Sequence, residues 1–387
     1  MGPENFKDIK FGRLDYESNG HYHRFEPNAV PFRTYSPNQK LNIRAAKATQ
    51  IIGRLNGRTS DFNKKQVELL KLPFLSKEAK SSSQIEGTRS TLTDIFKEDK
   101  IGEINREKQL DNEEVRNNRK ALYEGINNPI NKKTLKKIHR LVLQGVRGQT
   151  KNPGEFKTAQ NAIGSRGDDY SNAKFVPASP HTTPKLVNNL LSYMNQEPDM
   201  IPLIKIPILH YQFEAIHPFR DGNGRVGRVL IMIQMCTEDI LEYPLLYPSQ
   251  YFNTNREEYI QRLYRVSSDN EMDEWINFFL KGIEVQVKRS LKLIDEIYAF
   301  KEKAISKAKE VSRSPKIPTV VELLIKNPFI TSKEVLENTA FESPQGAINI
   351  LNTFEKAGIL REITNQKSHK VYAADELLKI LEGDTLD

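Results

Sequence analysis

Cysteine is almost absent from this sequence. Among its 387 residues there is one, Cys236, which lies in the apolar run IMIQMC. We expect a buried side chain there that behaves as a small hydrophobic residue. A single cysteine excludes an internal disulfide framework, and it excludes a zinc site built from several cysteines.

Long apolar runs are missing as well. No segment reaches the length that crosses a bilayer, and the N-terminal MGPENFKDIK has no apolar signal-peptide core. We therefore expect a soluble, cytoplasmic protein without membrane contact. The remaining composition, 37% hydrophobic and 28% charged, is that of an ordinary globular protein. The length indicates two or three domains.

Two common catalytic signatures are also absent. The chain has no GxxxxGK[ST], which excludes a P-loop enzyme, and it has no HExxH. His21 and His23 alternate in GHYHRF, but no cluster of further ligands completes a metal site, so we expect surface histidines. The formal charge of +8 leaves two classes of partner open, a nucleic acid and an anionic small molecule such as a nucleotide.

Helical periodicity dominates the chain and strand signals are few and short, so we predict a mainly α fold. Residues 1–40 are rich in turn formers and are expected to wrap over the surface. Gly87 is expected to end a helix, and Asp111 and Asn131 are expected to cap the starts of two others. The predicted helices cover residues 41–55, 64–70, 75–85, a stretch from 111 onward, 131–145 and, in several pieces, 183–309.

Two regions depart from the helical pattern. Residues 153–180 carry short β-like runs around Gly, Asp and Asn, which predict a hairpin with its tip near residues 164–169. After the linker SRSPKIP, three helices and a β-hairpin predict a winged helix-turn-helix. The predicted domains are an N-terminal helical region over residues 1–110, a central domain over residues 111–311 and the winged helix-turn-helix over residues 312–387.

The most informative segment is ILHYQFEAIHPFRDGNGRVGRVLIM, at residues 208–232. His217 precedes Pro218, and proline disfavours helical backbone at the residue before it, so His217 is expected at the exit of a helix. The next turn contains Gly222 and Gly224 and leads into a second helix. Such a turn presents unpaired N–H groups and the positive end of the helix dipole, which predicts a phosphate-binding site.

Charged side chains surround this turn. Arg225 and Arg228 are three residues apart, and we expect them to share the exposed face of the second helix and to donate to phosphate oxygens. Asp221 is a hard carboxylate of the kind that holds a Mg²⁺ bridging phosphates. His217 can take a proton near neutral pH. The segment thus predicts metal-assisted transfer of a nucleotide.

Residues 217–228, HPFRDGNGRVGR, resemble the full Fic-domain motif HxFx(D/E)GNGRxxR, with every defining position present. The resemblance implies a Fic helical bundle with a β-hairpin flap. It implies transfer of AMP from ATP to Ser, Thr or Tyr hydroxyls of target proteins or of the protein itself. His217 would be the general base, Phe219 would anchor the loop in the core, and Asp221 would hold Mg²⁺ or Mn²⁺.

The resemblance also implies how ATP and the target bind. Arg225 and Arg228 would bind the β- and γ-phosphates, and Asn223 would bind phosphates together with the loop amides. Tyr251 and Tyr259 would line the adenine pocket, with core packing as the alternative for both. The target would pair with the edge of the flap near residues 153–180. The residues expected to bind ATP are Asp221, Gly222, Asn223, Gly224, Arg225, Gly227, Arg228, Tyr251 and Tyr259.

A second short motif precedes the Fic motif. Ser82, Glu86 and Gly87, in SSQIEG, resemble the Fic inhibitory motif [ST]xxxE[GN] of the subclass with an N-terminal inhibitory helix. On that resemblance Glu86 pairs with Arg228 and competes with the γ-phosphate, so that ATP binds with its α-phosphate poorly aligned. The alternative is that Ser82 and Glu86 merely finish a surface helix.

The charge of the tail argues against DNA. Residues 313–387 contain nine Lys and Arg and eleven Asp and Glu, a formal charge of −2 in a chain of +8. The helix that would enter DNA has one basic residue, Lys356, whereas DNA binding needs several phosphate contacts. We expect the tail to bind protein or to mediate a homodimer. Two alternatives stay open: a regulator that binds DNA through its tail and senses a nucleotide, and a Fic enzyme that also removes AMP.

Overall fold

The computed structural model describes residues 2–7, 9–18, 20–60, 62–102, 105–164, 170–197, 199–341, 343–364, 366 and 368–383, and helices dominate them, as predicted. The helices are α1 Gln39–Thr59, α2 Lys64–Ile85, α3 Leu92–Ile101, α4 Arg106–Ile126, α5 Lys132–Val142, α6 Thr183–Met194, α7 Pro202–Ile216, α8 Asn223–Thr237, α9 Ser249–Thr254, α10 Arg256–Asp269, α11 Met272–Val311, α12 Ile317–Lys326, α13 Ser332–Asn338, α14 Pro344–Lys356 and α15 Asp375–Glu382. A short 3-10 helix lies at Pro3–Asn5. The strands are β1 Gly12–Glu17, β2 Tyr22–Pro27, β3 Phe329–Thr331, β4 Arg361–Glu362 and β5 Val371–Ala373, and they form two small antiparallel sheets, β1-β2 and β3-β5-β4. Of the helices in these ranges, none combines the length and the apolar character that crossing a bilayer takes.

The N-terminal residues do more than wrap over the surface. β1 pairs with β2 as a hairpin, with Leu14 opposite Phe25. The Phe25 side chain is fully buried, and its N–H donates to Val176 O at 2.8 Å. Arg13 and Asp15 in β1, and His23 and Arg24 in β2, obscure the alternation of apolar residues that would predict a strand. The hairpin therefore belongs to the core of the domain.

One continuous helix, α2, replaces the two that the sequence predicts at residues 64–70 and 75–85. Pro73 lies inside it, where proline removes one backbone hydrogen bond. Almost all side chains after Pro73 are buried, so packing stabilises the helix against that loss. The helix ends at Ile85, and Gly87 follows with a φ of +103°, in agreement with its predicted role as a helix terminator.

The start of α4 differs from the prediction. Asn105 caps it, with its side chain accepting a hydrogen bond from Lys108 N at 2.9 Å. Asp111, the predicted cap, lies within the helix, where its carboxylate accepts a hydrogen bond from Arg89 N at 2.8 Å. The predicted boundary between residues 110 and 111 therefore falls inside α4. The cap of α5 is Asn131, as predicted.

Helices α7 and α8 form the centre of the molecule. Nearly every side chain of both is buried, and α4, α5 and α11 pack around them. Trp275 of α11 is fully buried and donates its Nε1–H to Pro207 O of α7 at 2.8 Å. The sequence predicts a buried Cys236. In the structure this residue lies near the end of α8 and is half-buried. The turn between α7 and α8 is thus held by a packed core.

The tail contains α12, α13 and α14 with the sheet β3-β5-β4, which is the element order of the predicted winged helix-turn-helix. Its assignment to that class stays a prediction. The sequence pattern does not predict α15, which packs against α3 and α11. Lys77, fully buried in α2, donates its Nζ to Leu381 O of α15 at 2.7 Å. Glu382 accepts a hydrogen bond from Thr93 N, at the start of α3, at 2.8 Å.

The buried ion pair between Lys205 and Glu238 offers a test of what stabilises this core. The ammonium of Lys205 in α7 is fully buried and donates to Glu238 Oε1 and to Gln196 O, each at 2.8 Å. Lys205→Met leaves the carboxylate uncompensated, so we expect the free energy of unfolding to fall by about 3–5 kcal/mol. Urea unfolding followed by circular dichroism measures this. The double variant Lys205→Met/Glu238→Leu should recover most of the loss, and an equal loss in both variants would contradict the explanation.

Candidate active site

The turn between α7 and α8 begins at His217. This residue has left-handed backbone, with φ of +48° and ψ of +61°. Its N–H still donates to Phe213 O at 2.9 Å, so it leaves the helix at the last hydrogen bond, as the following Pro218 predicts. Left-handed backbone costs a non-glycine residue about 1–2 kcal/mol. The surrounding contacts must therefore hold His217 in place.

The N-terminus of α8 is open. Gly222 is its N-cap, with a φ of +75° that favours glycine, and it offers no capping side chain. The first N–H groups of a helix have no acceptor within the helix. The amides of Asn223, Gly224 and Arg225 therefore form an anion site at the positive end of the helix dipole.

Gly224 leaves space beside this open end. A Cβ built on it would lie 2.3 Å from Oε1 of Glu86, so any side chain there would displace that carboxylate. The Glu86 side chain is 40% exposed. Its carboxylate thus lies where an anion would bind.

Aromatic stacking anchors the middle of the turn. Phe219 is fully buried, as the resemblance implies, and its ring stacks on that of His139 with the centroids 3.7 Å apart. His139 Nδ1 accepts a hydrogen bond from Gly154 N at 2.8 Å, which leaves Nε2 to donate to Asp221 O at 2.9 Å. Burial lowers the pKa of His139 to about 4, so this neutral form is present at physiological pH.

The side chain of Asn223 closes the turn. Its Oδ1 accepts a hydrogen bond from Phe219 N at 2.9 Å, and its Nδ2 donates to Phe219 O at 2.8 Å. The resemblance implies that Asn223 binds phosphate together with the loop amides. In the structure the Asn223 side chain is 2% exposed, and both of its polar atoms form hydrogen bonds within the loop, so these atoms are already occupied. The backbone N–H of Asn223 is what remains for a ligand.

Both arginines of the motif are buried, although the sequence predicts an exposed face. Arg225 is 5% exposed and Arg228 is 1% exposed, because neighbouring helices enclose α8. Arg225 Nη2 lies 3.9 Å from Asp221 Oδ1. In the described part of the chain, Nε and Nη1 of Arg225 have no hydrogen-bond acceptor. Two buried donors of this kind suit an anionic ligand.

Helix α2 supplies the acceptors for Arg228. Its Nε donates to Ser82 Oγ at 2.9 Å, and its Nη2 donates to Ser82 O at 2.8 Å and to Glu86 Oε1 at 2.6 Å. Ser82 and Glu86 are four residues apart, so they lie on one face of α2. Burial acts to raise the pKa of the Glu86 carboxyl, but the charge and the hydrogen bond of Arg228, together with the charges of Arg225 and His217, outweigh it and lower that pKa below its ordinary value. The ion pair is therefore present at neutral pH.

His217 faces Glu214, one helical turn before it. The distance from His217 Nδ1 to Glu214 Oε2 is 3.7 Å. Burial lowers the pKa of His217 to about 3 and raises the pKa of Glu214 to about 8. At neutral pH the imidazole is therefore unprotonated and able to accept a proton, while most of Glu214 is protonated. An acidic residue on an otherwise apolar helix was the sequence signal for Glu214.

Asp221 is accessible beside the open helix end. Its side chain is 43% exposed, and its Oδ1 accepts a hydrogen bond from Gly222 N at 2.6 Å. A Mg²⁺ that bridges phosphates uses one or two carboxylates and keeps several waters, so this single donor fits such an ion. Nowhere in the described ranges do three or more His, Cys, Asp or Glu side chains form a site that could hold a metal.

A cavity of about 520 Å³ joins these groups. Tyr259 lines it, and the Tyr259 hydroxyl is 2.7 Å from His210 Nε2. The other predicted site residues that line it are Glu86, His217, Asp221, Gly222, Asn223, Gly224 and Arg228. The structure thus brings most of the motif, the Glu86 carboxylate and one of the two tyrosines to one cavity.

Three predicted ATP-binding residues, Arg225, Gly227 and Tyr251, are absent from the described residues that line the cavity. Tyr251 packs on Phe278 with ring centroids 5.2 Å apart. This is the core packing that the sequence left as its alternative. Gly227 faces α7, where a Cβ would lie 2.3 Å from Glu214 Oε1, so it permits close packing of α7 on α8.

One wall of the cavity is apolar. Ile260, Leu263 and Tyr264 line it from α10, and Ile163 and Phe175 line it from the predicted flap. The sequence does not single these residues out, because apolar residues three and four apart on a helix are equally typical of a core.

Residues 153–180 contain an antiparallel bridge. Ile163 and Phe175 exchange backbone hydrogen bonds of 2.8 and 2.9 Å. Apart from Gly164, the predicted tip at residues 164–169 lies outside the described residues. The bridged pair borders the cavity that His217 lines.

Comparison with known proteins points to one family. Residues 129–235 match the model of the Fic/DOC family, and residues 43–127 match that of the Fic/DOC family N-terminal region. The probable protein adenylyltransferase of Aquifex aeolicus (strain VF5) is 31% identical over 139 residues, which are 32% of this chain and 43% of that protein. Protein adenylyltransferase fic-1 of Caenorhabditis briggsae is 26% identical over 138 residues, 35% of this chain and 24% of that protein. The chain thus covers less than half the length of these curated relatives.

Two solved structures share the fold. A Fic family protein from Desulfovibrio desulfuricans G20 has a TM-score of 0.54 at 18% identity and covers 88% of this chain and 98% of its own. A Fic domain containing signaling protein from Bacteroides thetaiotaomicron VPI-5482 has a TM-score of 0.51 at 21% identity, and it covers 65% of this chain and 95% of its own. At these identities the likeness concerns the fold alone. With two family models matched in chain order and the complete motif at residues 217–228, residues 43–127 and 129–235 of this chain belong to the Fic/DOC family.

Proposed function

We propose that this protein transfers AMP from ATP to a Ser, Thr or Tyr hydroxyl of target proteins, and also to hydroxyls of its own chain. The observation that carries the proposal is that the unprotonated His217 and the open N-terminus of α8 adjoin one cavity. A base beside an anion site suits the transfer of a phosphate-linked group to a hydroxyl.

ATP would bind with its triphosphate at the open end of α8. The amides there and the guanidinium groups of Arg225 and Arg228 supply donors for the β- and γ-phosphates. The apolar wall on α10, with Tyr259, supplies a surface for adenine. Asp221 would hold Mg²⁺ or Mn²⁺, and the charge of that ion would offset the charge of the phosphates.

His217 would act as the general base. The hydroxyl oxygen of the target attacks the α-phosphorus, a P–O bond to AMP forms, and the bond to pyrophosphate breaks. The hydroxyl proton passes to the imidazole. Because Nδ1 faces Glu214, Nε2 is the nitrogen available to the target.

The target would dock on the flap. The backbone bridge between Ile163 and Phe175 borders the cavity, so a strand added beside it would place a side chain near His217. Backbone pairing would select an extended segment, and the transfer reaction requires a hydroxyl on the side chain that lies near His217. These are the chemical requirements for a target.

Glu86 would restrain this activity. Its carboxylate pairs with Arg228 and lies in the space beside Gly224, where the γ-phosphate would bind. ATP that shares the site with Glu86 would hold its α-phosphate out of line with the attacking hydroxyl. The protein would therefore rest in an inhibited state.

The tail offers few cations for DNA. Arg361 pairs with Asp375 and Lys370 pairs with Glu362, each at 2.7 Å, and α14 carries one basic residue, Lys356. Because DNA binding depends on several phosphate contacts, we assign the tail to protein binding or self-association.

A single cysteine fits a reducing, cytoplasmic location.

His217→Ala tests the base. In a Glu86→Gly background we expect AMP transfer from α-labelled ATP to fall by about 10²–10⁴-fold. ATP affinity, measured by calorimetry, should not change, because the base acts only in the transfer. His181→Ala removes an exposed histidine instead and serves as the matched control. Full activity of His217→Ala would show that the assignment is wrong.

Glu86→Gly tests the restraint. A hydrogen bond to a charged group contributes about 1.5–3 kcal/mol, so releasing Arg228 should raise AMP transfer roughly 10- to 100-fold. Glu68→Gly is the control, since it puts a glycine into α2 at a side chain that is 57% exposed and pairs with Lys71. No gain in Glu86→Gly, or an equal gain in Glu68→Gly, would exclude the restraint.

The restraint should not respond to pH near neutrality. The pKa of Glu86 lies below its ordinary value, so the contribution of its ion pair is lost only as the pH falls through that lowered value. We expect the ratio of AMP transfer by Glu86→Gly to that by the unsubstituted protein to stay constant between about pH 6 and pH 8. A ratio that shrinks on acidification would show that protonation releases Glu86.

A further inference from the structure

Residues 157–161, which we call the flap stem, belong to the predicted flap and contact the turn that carries His217. Lys157 donates its backbone N–H to Pro218 O at 2.8 Å and its Nζ to Ile216 O at 3.0 Å. The same ammonium donates to Oδ1 of Asn161 at 2.8 Å. Lys157 is 3% exposed, so these hydrogen bonds are shielded from solvent.

Asn161 extends this contact. Its Nδ2 donates to His217 O at 3.1 Å and to Phe219 O at 2.9 Å. Both partners of Nδ2 are carbonyl oxygens, and the partner of Oδ1 is an ammonium, so the chemistry fixes the orientation of the amide. The two flap residues together bind the carbonyls of four consecutive residues, 216–219.

These hydrogen bonds constrain a strained residue. His217 has left-handed backbone, and such a conformation persists where the surrounding contacts over-determine it. Asn161 binds the carbonyl of His217 itself, and Lys157 binds the carbonyls on either side of it. A displacement of the flap stem would therefore move the imidazole directly.

Lys157 also brings a charge. Burial lowers the pKa of its ammonium to about 7, and the charge of Glu26 opposes this. A neutral amine keeps two N–H donors, enough for the two hydrogen bonds of Nζ, so loss of the proton removes the charge and not the contact.

The charge of Lys157 bears on the imidazole. After burial, it is the next largest cause of the lowered pKa of His217, because a nearby cation disfavours the imidazolium. Glu86 acts in the opposite direction. The groups that face His217 or share its cavity are Lys157 of the flap stem, Glu214 of α7, Glu86 at the end of α2, Arg228 of α8, Arg256 of α10, Lys174 of the flap, and Arg220 and Asp221 of the turn.

We propose that Lys157 and Asn161 are positioning residues that fix His217 for proton transfer and so couple the flap, where a target would dock, to the chemical step. The inference rests on the proposed role of His217 as the base. It differs from a role in ATP binding, because neither residue belongs to the described lining of the cavity.

Asn161→Asp is the sharpest variant, since it keeps the size of the side chain and removes both N–H donors. In the Glu86→Gly background we expect kcat for AMP transfer to fall by about 10- to 100-fold, while KM for ATP stays unchanged, because misplacement affects the transfer and not binding. A circular dichroism spectrum like that of the parent shows that the variant is folded.

Substitutions of Lys157 either remove its charge and its Nζ donors together or keep both. Lys157→Met should lower kcat in the same way, and Lys157→Arg, which keeps a cation with several donors, should restore most of it. Lys151→Met makes the same change at an exposed lysine six residues earlier and is the matched control.

A second measurement does not depend on catalysis. In otherwise unsubstituted protein labelled at histidine, NMR titration gives the pKa of the His217 imidazole, whose signal is assigned by its absence from His217→Ala. We expect this pKa to be higher in Lys157→Met than in the unsubstituted protein or Lys151→Met, by about one pH unit, because a neighbouring cation has been removed.

Three results would overturn the proposal: full kcat in Asn161→Asp, a loss that appears as a raised KM for ATP, or an unchanged pKa of His217 in Lys157→Met. Absence of AMP transfer by the Glu86→Gly parent would contradict the proposed function instead. In that case the titration still supports or overturns the role of Lys157.

Discussion

The buried guanidinium of Arg228 sets the state of the site. A cation enclosed by protein needs acceptors, and Ser82 and Glu86 of α2 provide them. The same guanidinium lines the cavity beside the open end of α8. An anion must therefore meet this charge, either a carboxylate of the chain or a phosphate of a ligand. The proposed inhibition by Glu86 and the proposed binding of ATP would each satisfy this electrostatic requirement.

Donors and acceptors are separated around that cation. The carbonyls of residues 216–219 accept hydrogen bonds from the flap stem, and that of Asp221 accepts one from His139. The amides at the start of α8 stay available. A phosphate needs this arrangement, because donors attract it and carbonyl oxygens repel it. In this turn the protein's own donors occupy the carbonyl groups, and the N–H groups at the start of α8 remain available to a ligand.

Features that depend on neighbours in sequence could be predicted. The exit of His217 from its helix, the termination at Gly87 and the uncapped start of α8 after a glycine turn each follow from a few adjacent residues. His139 and Glu214 were missed for different reasons. His139 reaches the turn from 82 residues away, and its helix gives no sign of that contact. The only sequence signal for Glu214 was that it is the acidic residue of a mainly apolar helix.

Burial was the other quantity that the sequence could not supply. Arg225 and Arg228 read as an exposed pair because arginine is usually exposed, and only the packing of surrounding helices encloses them. The two tyrosines show the same limit. Tyr251 and Tyr259 stand eight residues apart in similar surroundings, yet one lies against the core and the other lines the cavity.

The contact between Lys77 and Leu381 has a consequence for how the chain is made. The two residues are 304 positions apart, and the helix that carries Ser82 leaves the ribosome long before its acceptor on α15. Helix α2 is therefore synthesised before that carbonyl is available. A product that ends between residues 229 and 380, through early termination or proteolysis, contains the whole Fic motif but lacks one of the hydrogen-bond partners of α2.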